Sequence, residues 1–411
     1  MAKVTPVPLF TTLDNLKHTD LGDYPDLFAF LNEGPNWRLQ NWRWGQEFLL
    51  FVGRHKSSHT FTRFRSEIER FLLWLYLYKN QTLESLKRND VLEYMDFIWQ
   101  PPLNWISLVN VEKFQLVGGS YRANKAWAPF RMVVPKGSDL NKADKKKYRP
   151  SQQSIHAAFT ALNALYKYLV DEEHIYGNPI QVAKKHCRLI HKDAQVKEVK
   201  RLTEQQWEYL LKTAHKMADE DHLYERNLFL IAAMKTLFLR ISEFSERPDW
   251  SPHMGHFWQD HNQNWWLKVY GKGRKLRDIT VPDGFIPYLK RYRTFRGLDA
   301  LPVIRESEPI IEKIRGRGGM TSRQLTRLVQ DVFDRAHQDL LAQAGTDEAQ
   351  NFKQATTHWL RHTGASLEIE RGRPLKDVSE DLGHASMAIT DAVYIQSESQ
   401  KRAASGKNRK V

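Results

Sequence analysis

The chain is 411 residues long and carries 62 Lys and Arg residues against 48 Asp and Glu residues, a formal net charge of +14 at pH 7. This length is enough for two or three domains, and the basic balance favours a polyanion as partner, nucleic acid first. One cysteine, Cys187, excludes an intramolecular disulfide framework and a metal site built from several cysteines, and without a signal peptide or a roughly 20-residue apolar run we expect a soluble, cytoplasmic protein with no membrane partner.

The first predicted unit is helical. Residues 1–45 mix Pro, Asp, Asn and aromatic residues without a sustained period, and we interpret them as an N-terminal extension. From 46 to 185 apolar residues recur three and four positions apart, as at Phe61 and Phe64, which is typical of amphipathic helices in a bundle. Residues 101–150 lose this period and contain Pro and Gly pairs and a Lys run, so we predict a long insertion there.

A basic linker is predicted at 186–202. Between residues 181 and 201 there are seven basic residues against two acidic ones and no convincing core stripe. The segment can be a solvated tether, a strap across a phosphate backbone, or both at once. Lys184, Lys185 and Arg188 are therefore candidate DNA-binding residues.

The second predicted unit covers 203–400, followed by a flexible basic tail at 401–411. It begins with a capping box at Thr203. A strand, a glycine turn and a second strand are predicted between residues 265 and 282. Helices are predicted at about 203–217, 223–246, 284–296, 321–343, 356–370, 375–382 and 387–395.

Two basic motifs precede the last helices. Arg240 lies in an apolar stretch three residues before Glu243, so it forms either a surface ion pair or a guanidinium directed at a phosphate and held by Glu243. Lys272 lies at the hairpin tip between two glycines, which is either an ordinary turn or a lysine that reaches into a DNA groove. Arg274 and Lys275 beside it are further DNA-binding candidates.

A histidine-rich helix follows. His358 and His362 are four residues apart, but Trp359 stands where a metalloprotease carries Glu, which disfavours zinc. Arg361 lies about one helical turn after His358, so the two side chains can face one phosphate. His362 is expected to pack or cap behind them.

The final motif residues are a histidine and a tyrosine. His384 follows a glycine helix cap and is either structural or projected into a site. Tyr394 is the only tyrosine after Tyr292 and is either a core aromatic residue or a nucleophile. If Tyr394 is only a core aromatic residue, the two Arg, one Lys and several His that precede it in a fixed order remain unexplained.

Taken together, these motifs resemble the tyrosine recombinase (phage integrase) family. The resemblance covers about residues 203–396, and the preceding helical unit resembles the family's core-binding domain more weakly. It rests on Arg240-Ile-Ser-Glu243, Gly-Lys272-Gly, His358-Trp-Leu-Arg361-His362, Leu-Gly-His384 and Tyr394. Three features differ from the family: Phe238 stands where glycine is usual, the segment 244–264 is unlike its counterpart, and one extra residue separates His384 from Tyr394.

The resemblance implies a mainly α fold with a small β-sheet in the catalytic domain, and a two-domain, C-shaped DNA clamp. It implies cleavage and rejoining of DNA through a 3'-phosphotyrosyl link at Tyr394. Arg240, Arg361 and His384 then stabilise the transition state. Lys272 protonates the leaving oxygen, His358 assists proton transfer, and Glu243 orients Arg240.

The resemblance also implies the partners. They are double-stranded recombination sites, three further copies of the chain in a tetramer, and accessory DNA-bending or directionality proteins. No cofactor or metal is implied. A role in a bacterial mobile element, associated with the nucleoid, is expected. A type IB topoisomerase and a sequence-specific DNA-binding regulator on a recombinase scaffold remain as alternatives.

Overall fold

The computed structural model describes residues 4–134, 139–191, 200–271, 275–344 and 346–384, and a few single positions after them. The chain divides into two compact units, residues 1–193 and 194–411. No helix within the described residues is long and apolar enough to cross a membrane.

The first unit is built from helices around one hydrophobic core. Its long amphipathic helices bury the apolar faces that the sequence period predicts, and α4 continues into a π-helical turn at Leu75–Lys79. The helices are α1 (Leu13–Leu16), α2 (Pro25–Asn32), α3 (Asn36–His55), α4 (Ser58–Trp74), α5 (Arg88–Trp99), α6 (Gln152–Asp171) and α7 (Ile180–His186).

The predicted boundary at residue 46 is wrong, because it falls inside α3. Phe10 and Trp42 are buried in the core of the unit, and their rings stack. The buried carboxylate of Glu69 accepts hydrogen bonds from the backbone N–H groups of Leu9 and Phe10 at 2.8 and 3.2 Å. The residues before 46 therefore belong to the first unit and are not an appended extension.

The predicted insertion at 101–150 contains short strands and little helix. Trp105 and Phe130 are fully buried and anchor the segment to the core. The first strand pairs with the fourth in parallel, and the second with the third as an antiparallel hairpin. The strands are β1 (Ile106–Ser107), β2 (Phe114–Val117), β3 (Ser120–Ala123) and β4 (Phe130–Arg131).

The second unit packs helices around an antiparallel sheet of three strands in the order β5-β6-β7. Tyr270 pairs with Leu276 at the end of the β6–β7 hairpin, where the sequence predicts a glycine turn. The elements are α8 (Glu204–Glu220), α9 (Glu225–Thr236), α10 (Ile241–Phe244), β5 (Phe257–Gln259), β6 (Trp265–Tyr270), β7 (Leu276–Val281), α11 (Ile286–Phe295), α12 (Ser322–Ala344), α13 (Thr346–Gln354), α14 (Thr357–Glu370) and α15 (Leu375–Leu382).

The single helix predicted at 223–246 is broken in two. Helix α9 ends at Thr236, and Phe238 has a left-handed backbone with φ of +49°. A left-handed conformation costs a residue other than glycine about 1–2 kcal/mol. The ring of Phe238 is buried against Ala365 and Val378, and this burial offsets the strain. The break lets Arg240 begin α10 as its N-terminal cap residue.

Helix α14 crosses the buried helix α9 at Gly364. A Cβ at this glycine would lie 1.9 Å from the carbonyl oxygen of Lys235 and 2.9 Å from the ring of Phe238. The glycine therefore allows the backbone of α14, which carries Arg361, to approach α9.

Gly364→Ala is expected to destabilise the protein by at least about 1–3 kcal/mol, because α14 must move away from α9 to admit the methyl group. The free energy of unfolding in urea measures the change. Gly284→Ala is the control, since a Cβ there meets no atom within 4 Å. Equal effects of the two substitutions would contradict this account of the crossing.

Candidate active site

A buried carboxylate, Glu243 on α10, is surrounded by three guanidinium groups. Arg240 donates to it from its backbone N–H at 2.8 Å and from Nη1 at 3.1 Å. Arg277 on β7 donates from Nη1 and Nη2 at 2.8 and 3.2 Å. Nη1 of Arg361 on α14 lies 3.9 Å from Oε2. One carboxylate against three guanidinium groups leaves this cluster with an excess of positive charge.

The guanidinium groups are also held by backbone carbonyls. Arg361 is buried and donates to the carbonyl oxygens of Phe238 at 2.5 Å and Leu382 at 2.6 Å. The Leu382 carbonyl also accepts from Nη1 of Arg240 at 3.4 Å. Leu382 ends α15, where carbonyl groups are free of helical partners and the helix dipole is negative. The end of α15 therefore brings Arg240 and Arg361 to one point.

His384 completes the cluster. Gly383 ends α15 in a left-handed conformation with φ of +61°, and this turn places His384 beside Arg361, with Nε2 of the imidazole 3.4 Å from Nη2 of the guanidinium. A Cβ at Gly383 would lie 2.8 Å from Nε of Arg277. The glycine therefore provides both the turn and the space for that arginine.

His358 and His362 lie one turn apart on α14, with ring centroids 6.5 Å apart. His358 is on the exposed side of the helix, near the positive charges of Arg361 and Arg240. His362 is half-buried behind it. In the part of the chain that the structure describes, no three His, Cys, Asp or Glu side chains form a group that could hold a metal ion.

Burial and the charges of the cluster shift the pKa values of its titratable groups. Burial alone would raise the pKa of Glu243, but the hydrogen bonds and charge of Arg277, with Arg240 and Arg361, lower it below its ordinary value. Burial, followed by the charges of Arg361 and Arg240, lowers the pKa of His384 to about 4. The pKa of His358 is also lowered, and that of His362 falls to about 4. The carboxylate is therefore ionised and the imidazoles are neutral near pH 7.

Residues 200–401 match the family model described as the phage integrase family. The chain is 25% identical over 352 residues to the tyrosine recombinase XerC of Chlorobaculum parvum. The aligned region covers 82% of this chain and 92% of XerC. The chain is 23% identical over 358 residues to a tyrosine recombinase of Thermosipho africanus, with 87% and 94% covered. The chain belongs to the phage integrase family of tyrosine recombinases.

A solved structure shares the fold of this recombinase. The XerH site-specific recombinase, bound to a palindromic difH substrate in a post-cleavage complex, superposes with a TM-score of 0.57 at 17% identity and covers 86% of this chain and 80% of XerH. The predicted fold class is confirmed: the recombinase is mainly α-helical, has small sheets, and has two domains.

Of the residues that the sequence proposes for the site, the structure brings together Arg240, Glu243, Arg361 and His384. Lys272, Arg274 and Tyr394 lie outside the described residues, so their roles in this recombinase stay predictions. The backbone N–H of Gly271 donates to the carbonyl oxygen of Lys275 at 2.9 Å. Lys275 is exposed.

The basic candidates of the first unit lie on its surface. Lys184 and Lys185 are exposed on α7. Arg188 pairs with Asp96 at 3.2 Å, and both side chains are largely exposed. A surface pair of this kind contributes little to stability, so these side chains are available to a ligand.

Sequence reasoning missed Arg277. In β7 it lies on the same side as the buried residues Ile279 and Val281, so the strand's two-residue period marks it as inward-facing. Arg277 follows a run of basic residues at the hairpin turn, a position where such side chains ordinarily face solvent. Its Nε also donates to the backbone carbonyl of Asp381 at 3.1 Å, so Arg277 links Glu243 to α15.

Asp381 and Trp250 support the cluster from behind. The buried carboxylate of Asp381 accepts from the hydroxyl of Thr280 on β7 at 2.6 Å and pairs with Arg373 at 2.5 Å. The indole of Trp250 donates to the carbonyl of Glu243 at 2.9 Å and stacks on Tyr270, the last residue of β6. These contacts attach α10 and α15 to the two strands of the hairpin.

Glu243→Gln is expected to destabilise this recombinase by about 3–5 kcal/mol at pH 7, because three guanidinium groups lose their buried counter-ion. The folded pKa of Glu243 is lowered, so its stabilisation is present above the unfolded pKa and is lost as the pH falls through the folded pKa. The free energy of unfolding should therefore fall less in the variant than in the wild type between pH 7 and about pH 3.

Urea denaturation at several pH values measures this difference. Glu208→Gln, which removes an exposed carboxylate from α8, should leave the wild-type pH dependence unchanged. If Glu243→Gln retains the wild-type pH dependence, Glu243 is not an ionised counter-ion in the folded protein.

Proposed function

We propose that this recombinase cleaves and rejoins DNA strands at specific sites through a 3'-phosphotyrosyl intermediate. The observation that carries the proposal is the convergence of Arg240 and Arg361 on Glu243, with His384 beside Arg361, since this arrangement suits a pentavalent phosphate. Donors fixed before the reaction stabilise developing charge without reorganising. No step needs a metal or a nucleotide.

The two arginines have distinct surroundings. Arg361 is nearly fully buried, whereas the side chain of Arg240 keeps about a quarter of its surface exposed, at 24%. Guanidinium groups offer paired donors that match two phosphate oxygens. We assign Arg240 and Arg361 to the non-bridging oxygens of the scissile phosphate, and Nε2 of His384 to the same group.

Tyr394 is the nucleophile in this proposal. Its phenol oxygen forms a bond to phosphorus while the bond from phosphorus to the 5' oxygen breaks, and rejoining reverses these steps. A phenol has an ordinary pKa of about 10, so the attack needs a proton acceptor, and we assign His358, whose lowered pKa keeps it neutral. Lys272 donates the proton that the leaving 5' oxygen takes up.

The remaining assignments concern the whole chain. We propose that the catalytic domain comprises about residues 203–400, and that the first unit, with Lys184, Lys185 and Arg188, contacts the duplex backbone. In this proposal the linker at 186–202 contacts the phosphate backbone, and the tail at 401–411 contacts a neighbouring protomer. Four protomers assemble on two DNA sites. Integration or excision of a mobile element, aided by accessory DNA-bending or directionality proteins, is the proposed biological outcome.

Tyr394→Phe is expected to retain DNA binding and to form no covalent adduct, because the phenol oxygen is the attacking atom. The probe is a nicked duplex made from DNA that flanks the encoding gene, in which the nick traps the adduct. Gel shift measures binding, and denaturing electrophoresis measures the adduct. Tyr176→Phe, at a tyrosine that is 96% exposed, is the control and should form the adduct like the wild type.

Undiminished adduct in Tyr394→Phe would overturn the assignment of the nucleophile. Site-specific binding by the wild type without any adduct would instead favour a DNA-binding regulator. Relaxation of supercoiled DNA without exchange at a site would favour a topoisomerase.

Arg361→Lys is expected to slow adduct formation by about 10²–10³-fold while DNA affinity changes little, because a lysine cannot reproduce the paired donors that stabilise the transition state. Single-turnover cleavage and gel shift measure the two quantities. Arg188→Ala is the comparison: an exposed backbone contact should weaken binding and lower the salt dependence of affinity. Equal loss of binding and cleavage in Arg361→Lys would reduce Arg361 to a phosphate-positioning role.

A further inference from the structure

Two buried hydroxyl groups lie behind His384. Nδ1 of the imidazole is 2.8 Å from Oγ1 of Thr390, and that hydroxyl is 2.9 Å from Oγ of Ser379 on α15. Thr390 is fully buried and Ser379 is 4% exposed. A buried hydroxyl needs hydrogen-bond partners, and here both partners of Thr390 are side chains of the site's own framework.

The direction of each hydrogen bond follows from Arg361. A guanidinium group has donors and no acceptor, so Nε2 of the neutral His384 must be the nitrogen with the lone pair. The proton of the imidazole is then on Nδ1, which donates to Thr390. The hydroxyl of Thr390 in turn donates to Ser379. One continuous chain of donors therefore runs from Arg361 to Ser379.

We propose that Thr390, supported by Ser379, is a positioning residue that holds His384 in the Nδ1–H tautomer with Nε2 directed at the scissile phosphate. The inference deepens the proposed function and rests on it for the role of His384. Thr390 follows His384 by six residues and precedes Tyr394 by four. The contact with Ser379 thus also joins Thr390 to α15.

The proposal has a chemical consequence for strand cleavage. Because Thr390 keeps the proton on Nδ1, Nε2 becomes a donor only when His384 takes up a second proton. His384 therefore acts on the phosphate as an imidazolium cation, and its ring does not need to turn. An Nε2–H tautomer would be a neutral donor and would place a hydrogen against the guanidinium of Arg361 before DNA binds.

Nitrogen-15 chemical shifts of labelled histidine test the tautomer in the DNA-free protein. His384 is assigned by its loss in His384→Gln. The wild type should show the Nδ1–H tautomer at pH 7, and Thr390→Ser should retain it. Thr390→Val keeps the shape of the side chain but removes the acceptor, so His384 should shift to the Nε2–H tautomer. Ser379→Ala should give a mixture, since the Thr390 hydroxyl is then free to donate to Nδ1.

Adduct formation on the nicked duplex gives the second measurement. Hydrogen-bond partners that orient a metal-bound histidine are typically worth about 10–100-fold in metal affinity or activity. By analogy, Thr390→Val should slow cleavage by a similar factor with unchanged DNA affinity. Thr390→Ser should restore cleavage. Thr326→Val, at an exposed threonine of α12, controls for the substitution itself and should behave like the wild type.

The Nε2–H tautomer in the wild type, or an unchanged tautomer in Thr390→Val, would overturn the inference whatever the enzyme does to DNA. Wild-type cleavage by Thr390→Val would also overturn it. Loss of folding in Thr390→Val together with a wild-type tautomer in Thr390→Ser and Ser379→Ala would leave only a structural role for the hydroxyls. Absence of adduct in the wild type would refute the proposed function but leave the tautomer measurement intact.

Discussion

The ionised carboxylate of Glu243 is the interaction on which the second unit depends. Arg240, Arg277 and Arg361 approach it from three separate elements, and Glu243 itself is 1% exposed. Like charges at this separation repel, and an unpaired charge in the protein interior is costly. Glu243 is therefore what permits α10, β7 and α14 to present guanidinium groups to one point. The three guanidinium groups can lie this close together because their counter-ion, Glu243, is part of the protein.

The carbonyl groups that complete this arrangement come from strained or terminal backbone. Phe238 accepts from Arg361 only because its left-handed conformation ends α9 and turns the chain. Leu382 accepts because it ends α15, where Gly383 turns the chain in the same left-handed sense. Glycine would adopt the left-handed conformation of Phe238 without strain. The burial of the Phe238 ring adds apolar contacts that glycine lacks and offsets the conformational cost.

The sequence predicts the parts of the site that local patterns encode. Arg240 with Glu243, Arg361 and His384 each stand in a recognisable motif, and the structure brings all four together. It does not predict Arg277, because a basic residue beside a hairpin turn is ordinarily exposed and its burial depends on the distant Glu243. The role of residues before 46 was missed for a similar reason: Leu9 and Phe10 are ordered by Glu69, some sixty residues away. Pairings of this kind are decided by the tertiary fold and leave no local period.

The neutral imidazoles near pH 7 are the counterpart of the fixed guanidinium charges. Guanidinium groups in general stay charged under ordinary conditions. Desolvation of the rings, followed by the field of Arg361 and Arg240, lowers the pKa of His358 and His384. Without DNA, the pocket therefore carries no imidazolium charge in addition to its guanidinium charges, which Glu243 alone does not balance. A phosphate group contacted by Nε2 of His384 brings negative charge to that imidazole and raises its pKa. In the proposed mechanism, proton uptake by His384 is therefore tied to the arrival of the phosphate, so that the full positive charge of the pocket forms only where the reaction needs it.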